Sequence, residues 1–276
     1  MTDASPFGGY LTRLLDHRGT RPDELVAASG VPEPELRAVL AGRLPTVAQL
    51  DLLAPALGFH AADLHVMAGL VVPEVLAYRR SGGMRAQLIA ASRVLSPDRT
   101  ARVLELVDRL PREPWGEPPG PAQHFDARVS GFGAVLVNLL WWGRNLRAHD
   151  TTWALQGLTH VGLSLATVPA IGRGSALTPE TAAGIGVVLG FSPGDVLAMA
   201  GLPLPDWPYP VEPRADETAS LLWHCRYLTG EQAKSVGEAA QALLLPVPDG
   251  APPEEWNRVY SLGDVWWGGP KEWTAG

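Results

Sequence analysis

The chain is poor in cysteine, lysine and uninterrupted apolar runs. Its single cysteine, Cys225, excludes an intrachain disulfide and any zinc site built from paired cysteines, so a reducing cytoplasm is the expected compartment. His60 and His65 have no further ligands at zinc spacing, and no metal or other cofactor is expected. Lysine occurs only at Lys234 and Lys271, and acids outnumber bases to give a formal net charge of −7. Such a molecule does not coat nucleic acid indiscriminately; contact with phosphate requires a local basic face. The most apolar region, residues 187–204, is broken by Asp195 and by glycine and proline, so no membrane span is expected. The first residues carry no basic segment followed by an apolar run, and no signal peptide is expected.

What is present points to a folded, helical protein. The 276 residues suffice for two ordinary domains, and 46% hydrophobic against 18% charged residues argues for globular cores. Phe7, Leu11, Leu14 and Leu15 recur at helical spacing, with Arg13 and Arg18 off the stripe. Asp23, Glu24, Leu25 and Ala28 suit a helix stopped by Gly30, whose left-handed backbone turns the chain sharply. A second short helix follows, with Pro34 in its first turn, Leu36, Val39 and Leu40 inward, and Glu33, Arg37 and Ala41 outward. This is helix-turn-helix layout. Thr46 is placed to cap a fourth helix bearing Leu50, Leu53, Ala54 and Leu57 and ending at Gly58; a fifth carries Leu64, Met67 and Ala68. Helical patterns continue over residues 84–95 and 96–110, the latter with Val103, Leu106, Val107 and Leu110 on one face. Residues 111–121, rich in proline and glycine, exclude helix and sheet interior and form a linker.

With Glu24-Leu25, Gly30-Val31, Leu36, Gly42-Arg43, Pro45 and the run from Leu50 to Gly58, residues 7–70 resemble the XRE family, the Cro and lambda-repressor-like five-helix DNA-binding domain. The resemblance implies transcriptional control through major-groove contact with double-stranded operator DNA, usually as a dimer. It implies base readout by Arg37 and Glu33, as arginine on guanine and carboxylate on cytosine N4. Arg18, Arg21 and Arg43 would hold phosphates at the edges of the motif. The chain departs from the family in placing Pro22 at the start of the second helix and Glu33 and Glu35 at the start of the third.

The pattern then begins again. Residues 57–70 (LGFHAADLHVMAGL) match residues 189–202 (LGFSPGDVLAMAGL) at eight of fourteen positions. Phe7-Gly8 with Leu11, Leu14 and Leu15 recurs as Phe132-Gly133 with Leu136, Leu139 and Leu140. The stretch after Leu95 recurs loosely after Leu228. The expected fold class is therefore all-α, with two tandem five-helix units, each followed by a helical pair that can pack into a small bundle, and a proline- and tryptophan-rich tail. The expected boundaries are 1–76 (helix-turn-helix domain), 77–111 (helical pair), 112–131 (linker), 132–205 (degenerate second domain), 206–246 (helical segment) and 247–276 (tail). In the second unit Gly157-Leu158 takes the turn, residues 159–168 form the helix after it, without a charged side chain, and residues 169–176 form a loop.

Look-alike enzyme motifs lack their context. Gly184, Gly186 and Gly190 follow no strand; the nucleophile-elbow spacing around Ser164 also lacks one; His224 and Cys225 diverge as neighbours on a helix. No enzyme activity is expected. The leading expectation is a DNA-binding regulator acting as a homodimer or pseudo-dimer, whose second half orients, dimerises or meets a protein partner, as does the tail. The alternative is an interaction module that keeps the scaffold without binding DNA.

Overall fold

Glycine stops and capping side chains cut the chain into short helices. The computed structural model describes residues 5–73, 76, 86–92, 95–112, 124–204 and 211–243, and among them the fold is all-α. The first run is α1 (Phe7–Arg18), α2 (Pro22–Ser29), α3 (Glu33–Leu40), α4 (Val47–Leu57) and α5 (Ala61–Met67), then α6 (Ala86–Ser92) and α7 (Pro97–Arg109). The second begins with α8 (Ala127–Asn138), extended by a π turn at Leu139–Gly143. It continues through α9 (Ala148–Thr159), α10 (Thr167–Gly172), α11 (Pro179–Leu189) and α12 (Pro193–Ala200), then α13 (Ala215–His224), a 3₁₀ turn (Cys225–Tyr227) and α14 (Gly230–Ala242). No helix among the described residues is long and apolar enough to cross a membrane. The tail and most of the linker lie outside the described residues.

Local chemistry sets the helix ends. Gly30 and Gly58 close α2 and α4 in the left-handed conformation, and the Thr46 hydroxyl accepts from the Gln49 amide to open α4. Gly8 is required by proximity: a Cβ there would lie 2.3 Å from the Val39 carbonyl oxygen, so only glycine lets α1 approach the end of α3. Gly133 serves α8 in the same way against Ile171 of α10.

The second half departs from the sequence reading. Gly157 and Leu158 are buried inside α9, and the chain turns at His160, a non-glycine residue with φ of 56°. Residues 160–166 are a loop and not a helix, because Gly162 weakens helix there and the Ser164 hydroxyl accepts from the Thr167 amide, which starts α10 only at Thr167. Residues 169–172, read as loop, are helical, with Pro169 tolerated in the first turn.

Two cores result. The larger draws on both halves, from Phe7, Leu14 and Leu36 to Leu136, Val188 and Leu197. The smaller joins α6 and α7 to α13 and α14 through Leu88, Val103, Val107, Leu221, Cys225 and Val236. This four-helix cluster ties the ends of the two runs together.

Across the larger core, α1 packs on α12, and α5 on α8 and its π turn. Phe59 meets Phe191 edge-on at 4.9 Å, and Tyr10 meets Phe132 at the same separation. Two ion pairs cross in opposite senses. Arg144 donates to both carboxylate oxygens of Asp63, at 2.7 and 3.0 Å, and to the Leu189 carbonyl at 2.7 Å. Arg18 donates to both oxygens of Asp195, at 3.0 and 2.7 Å, and to the Leu57 carbonyl at 2.8 Å. Leu57 and Leu189, and Asp63 and Asp195, occupy matching places in the repeated stretches. The π turn absorbs one extra residue, so Arg144 reaches the place in its half that Arg18 reaches in the other.

The pairs differ in burial. Both partners of Asp63–Arg144 are fully buried, whereas the Arg18 and Asp195 side chains are 31% and 10% exposed. Removing one partner of a buried pair strands the other. Asp63→Asn should therefore destabilise by about 3–5 kcal/mol, and Asp195→Asn by less, about 1–3 kcal/mol, as measured by urea unfolding. Equal costs would contradict this arrangement.

His60 stacks on Trp223, ring centres 3.5 Å apart. Burial is the main cause pushing its pKa down from 6.5 to about 4, with Asp63 opposing and Arg144, Arg226 and His224 reinforcing. Between these values the unfolded chain binds the proton and the folded chain does not, so this contribution is complete above pH 6.5 and is lost as the pH falls through 4. His60→Phe should flatten the stability profile across that window. An unchanged acid limb would refute the assignment.

Candidate nucleic-acid interface

The turn at Gly30 sets α3 against α1 and α2 with its far side in solvent. Leu36 and Val39 enter the core, and their spacing forces Glu33, Arg37 and Ala41 to the outside. Arg37 is 73% exposed and donates to Glu33 at 2.5 Å, an ion pair one helical turn apart with the acid on the amino-terminal side. Arg43, just past α3, is exposed and touches the Glu35 carbonyl oxygen at 3.5 Å. Glu35 accepts from the Gln49 side chain, which turns it toward α4 and away from the open face.

The remaining cations proposed for phosphate are committed more firmly. Arg21 donates to Asp23 at 3.0 and 3.1 Å and lies 3.1 Å from Glu24. Its guanidinium holds the Asp23 carboxyl below the usual range, mainly through that hydrogen bond, so the acid stays ionised beside it. Glu24 also accepts from the Arg21 amide, filling the amino-terminal position of α2 with the chain's own carboxylate. Arg18 is turned from this face, since Asp195 and the end of α4 accept from all three of its guanidinium nitrogens. The structure thus leaves Glu33, Arg37 and Arg43 exposed on α3 and just past it, and Arg21 exposed at the start of α2, and assigns Arg18 to the junction. Arg21, Arg37 and Arg43 are matched in number by the exposed acids Asp23, Glu24 and Glu33, so this face has no excess of positive charge.

The corresponding region of the second half differs in kind. The loop at 160–166 and α10 carry no acid and, besides His160, no basic residue; Leu165 is an exposed apolar side chain there. His160 lies 3.8 Å from Glu212. Among the described residues no three side chains group as metal ligands. Cys225 is buried in the smaller core, while His224 faces Asp108 at 3.3 Å, so the two diverge. His65 is fully buried and bonds its own helix at the Ala61 carbonyl.

Sequence reasoning missed the Asp63–Arg144 centre and the aromatic stack beside it. The available signal was an aspartate at the same place in the two matching stretches, Asp63 in 57–70 and Asp195 in 189–202.

Because the Glu33–Arg37 pair is exposed, Arg37→Ala should change stability by no more than about 0.5 kcal/mol, whereas Glu35→Ala should cost about 1 kcal/mol through the lost bond from Gln49. Thermal unfolding of the two variants checks this; a large loss for Arg37→Ala would mean that α3 is held through that face. Comparison of the chain with family models, with curated proteins and with solved structures finds no match.

Proposed function

We propose that the chain is a transcriptional regulator built from two tandem helix-turn-helix units, and that α3 of the first unit enters the major groove of operator DNA. The observation that carries this reading is the outer face of α3, where Arg37 and Glu33 stand exposed among the described residues while the helix packs on α1 and α2. The tandem arrangement rests on the recurring order of helices, on the glycines at 8 and 133 at matching approaches, and on the crossed arginine–aspartate pairs. In this reading Arg37 meets guanine, Glu33 the exocyclic amine of cytosine, and Arg43 and Arg21 the flanking phosphates. The second unit orients the first, and a second chain supplies the other half-site. Working on DNA, the protein acts in the cytoplasm.

A protein partner is the second reading, favoured by one specific observation: Arg21, Arg37 and the amino terminus of α2 already hold the chain's own carboxylates. An acidic face of this kind suits a partner carrying arginine or lysine.

The two readings separate in a binding-site selection from fragmented genomic DNA. With Arg21 and Arg43 on phosphate, log affinity should fall with log salt at a slope of about −2 per chain. Arg37→Ala should erase about 1–3 kcal/mol of discrimination at one base pair, while Arg43→Ala weakens all duplexes alike and flattens the slope by about 0.9. Retention of no fragment at low salt would remove the DNA reading and leave the protein partner.

A further inference from the structure

Away from α3, one cleft holds two arginines that pair with no carboxylate among the described residues. It opens between the end of α7 and the turn joining α13 to α14, with a volume of about 320 Å³, and its walls include Val107, Asp108, Leu110, Arg112, Trp223, Arg226 and Tyr227. Arg226 is only 6% exposed. Its Nη1 donates to the Trp223 carbonyl at 2.7 Å and its Nη2 to the Tyr227 hydroxyl, while its Nε has no partner. The guanidinium lies 3.3 Å from the centre of the Trp223 ring and 3.9 Å from that of Tyr227. Arg112, at the exposed rim, lies over the other ring of the pair, 4.2 Å from the centre of Tyr227.

Among the described residues, Asp63 is paired with Arg144, and Asp108, on the cleft wall, turns to His224 at 3.3 Å. A buried guanidinium is ordinarily paired. Here burial, with Arg144 and Arg112 reinforcing and Tyr227 and Asp63 opposing, lowers the Arg226 pKa to about 10, so it remains a cation at neutral pH. A preformed cleft, two guanidinium groups among its lining residues, one of them buried with an unpartnered N–H, and apolar sides are the parts of a receptor for an oxyanion.

We propose that this cleft binds a small organic anion, its carboxylate or phosphate oxygens held between the guanidinium groups of Arg226 and Arg112, and its apolar body lying against Val107, Leu110 and Trp223. The site joins α7 of the first run to the α13–α14 turn of the second, so an occupant fastens the two helical pairs at the point where they hold the halves together. The inference does not depend on what α3 binds.

Isothermal titration of the full chain with benzoate and with phenyl phosphate, and with benzyl alcohol as the neutral control, tests the site. Saturable binding of at least one anion below about 10 mM is expected, none of the alcohol, and at least about ten-fold weaker binding by Arg112→Gln and Arg226→Gln. Arg226 is buried, so Arg112→Gln, at an exposed position, carries the test by itself. The stronger of the two anions identifies carboxylate or phosphate as the preferred group. No saturable heat from either anion, equal binding of the alcohol, or undiminished binding by Arg112→Gln would overturn the proposal.

Discussion

Everything about the relation between the two halves depends on arginines that cross between them in opposite senses. Arg18, ending α1, reaches Asp195 on α12; Arg144, following α8, reaches Asp63 on α5. Each spends a further donor on the carbonyl that closes α4 or α11 of its own half, so one side chain caps a helix and fastens the opposite half. Buried ion pairs bring little net stability against apolar packing of equal volume. The stability comes from the surrounding apolar side chains, including the edge-on rings of Phe59 and Phe191. What the pairs add is exclusivity. Sliding α12 or α5 by a helical turn would leave a carboxylate unpaired in an apolar surround, a penalty that competing packings of the same hydrophobic faces do not escape.

That constraint distinguishes the molecule from an association of separate subunits. Its halves share one core and are linked again through α6, α7, α13 and α14, so the direction in which α3 faces is set within one chain and does not vary with concentration. The two faces so oriented are unequal. The first presents Glu33, Arg37 and Arg43; the second presents a loop with Leu165 exposed and a six-residue α10. Equivalent positions in the fold therefore serve different surfaces, and the burden of keeping α1 and α8 close to those surfaces falls on the same residue type, Gly8 and Gly133.

Much of this was legible from local pattern. The stripe of Phe7, Leu11, Leu14 and Leu15, the cap at Thr46 and the stops at Gly30 and Gly58 mark helices because their causes lie within a few residues of one another. The second half was misread where those causes are absent. Its turn falls at His160, and a left-handed residue other than glycine leaves no compositional trace; Gly157, which resembles a turn, is instead packed inside α9. The π turn is equally silent. The partner of Arg18 lies 177 residues away and that of Arg144 lies 81, separations at which periodicity carries no information. As a consequence Arg18, an off-stripe arginine beside the motif, reads as a phosphate ligand in sequence and is a junction residue in the structure.

The same displacement of Arg18 sharpens the electrostatics of α3. With it gone, the open face holds no more cations than acids, and Glu24 already occupies the amino-terminal position of α2, where a phosphate would otherwise be attracted. Phosphate attraction supplies nearly all non-specific binding to duplex DNA, so a molecule of net charge −7 gains little from sequences it does not recognise. Such a protein loses affinity everywhere, but it loses most where affinity has no other source. On the proposed DNA-binding reading, what would discriminate between operators is the ratio of specific to non-specific binding, and an acid beside a base-contacting arginine would raise that ratio wherever the groove offered a cytosine amine to meet it. The carboxylates of α3 are thus compatible with a selective reader and incompatible with a strong one, and the same sparse positive charge is what a basic protein partner would find acceptable.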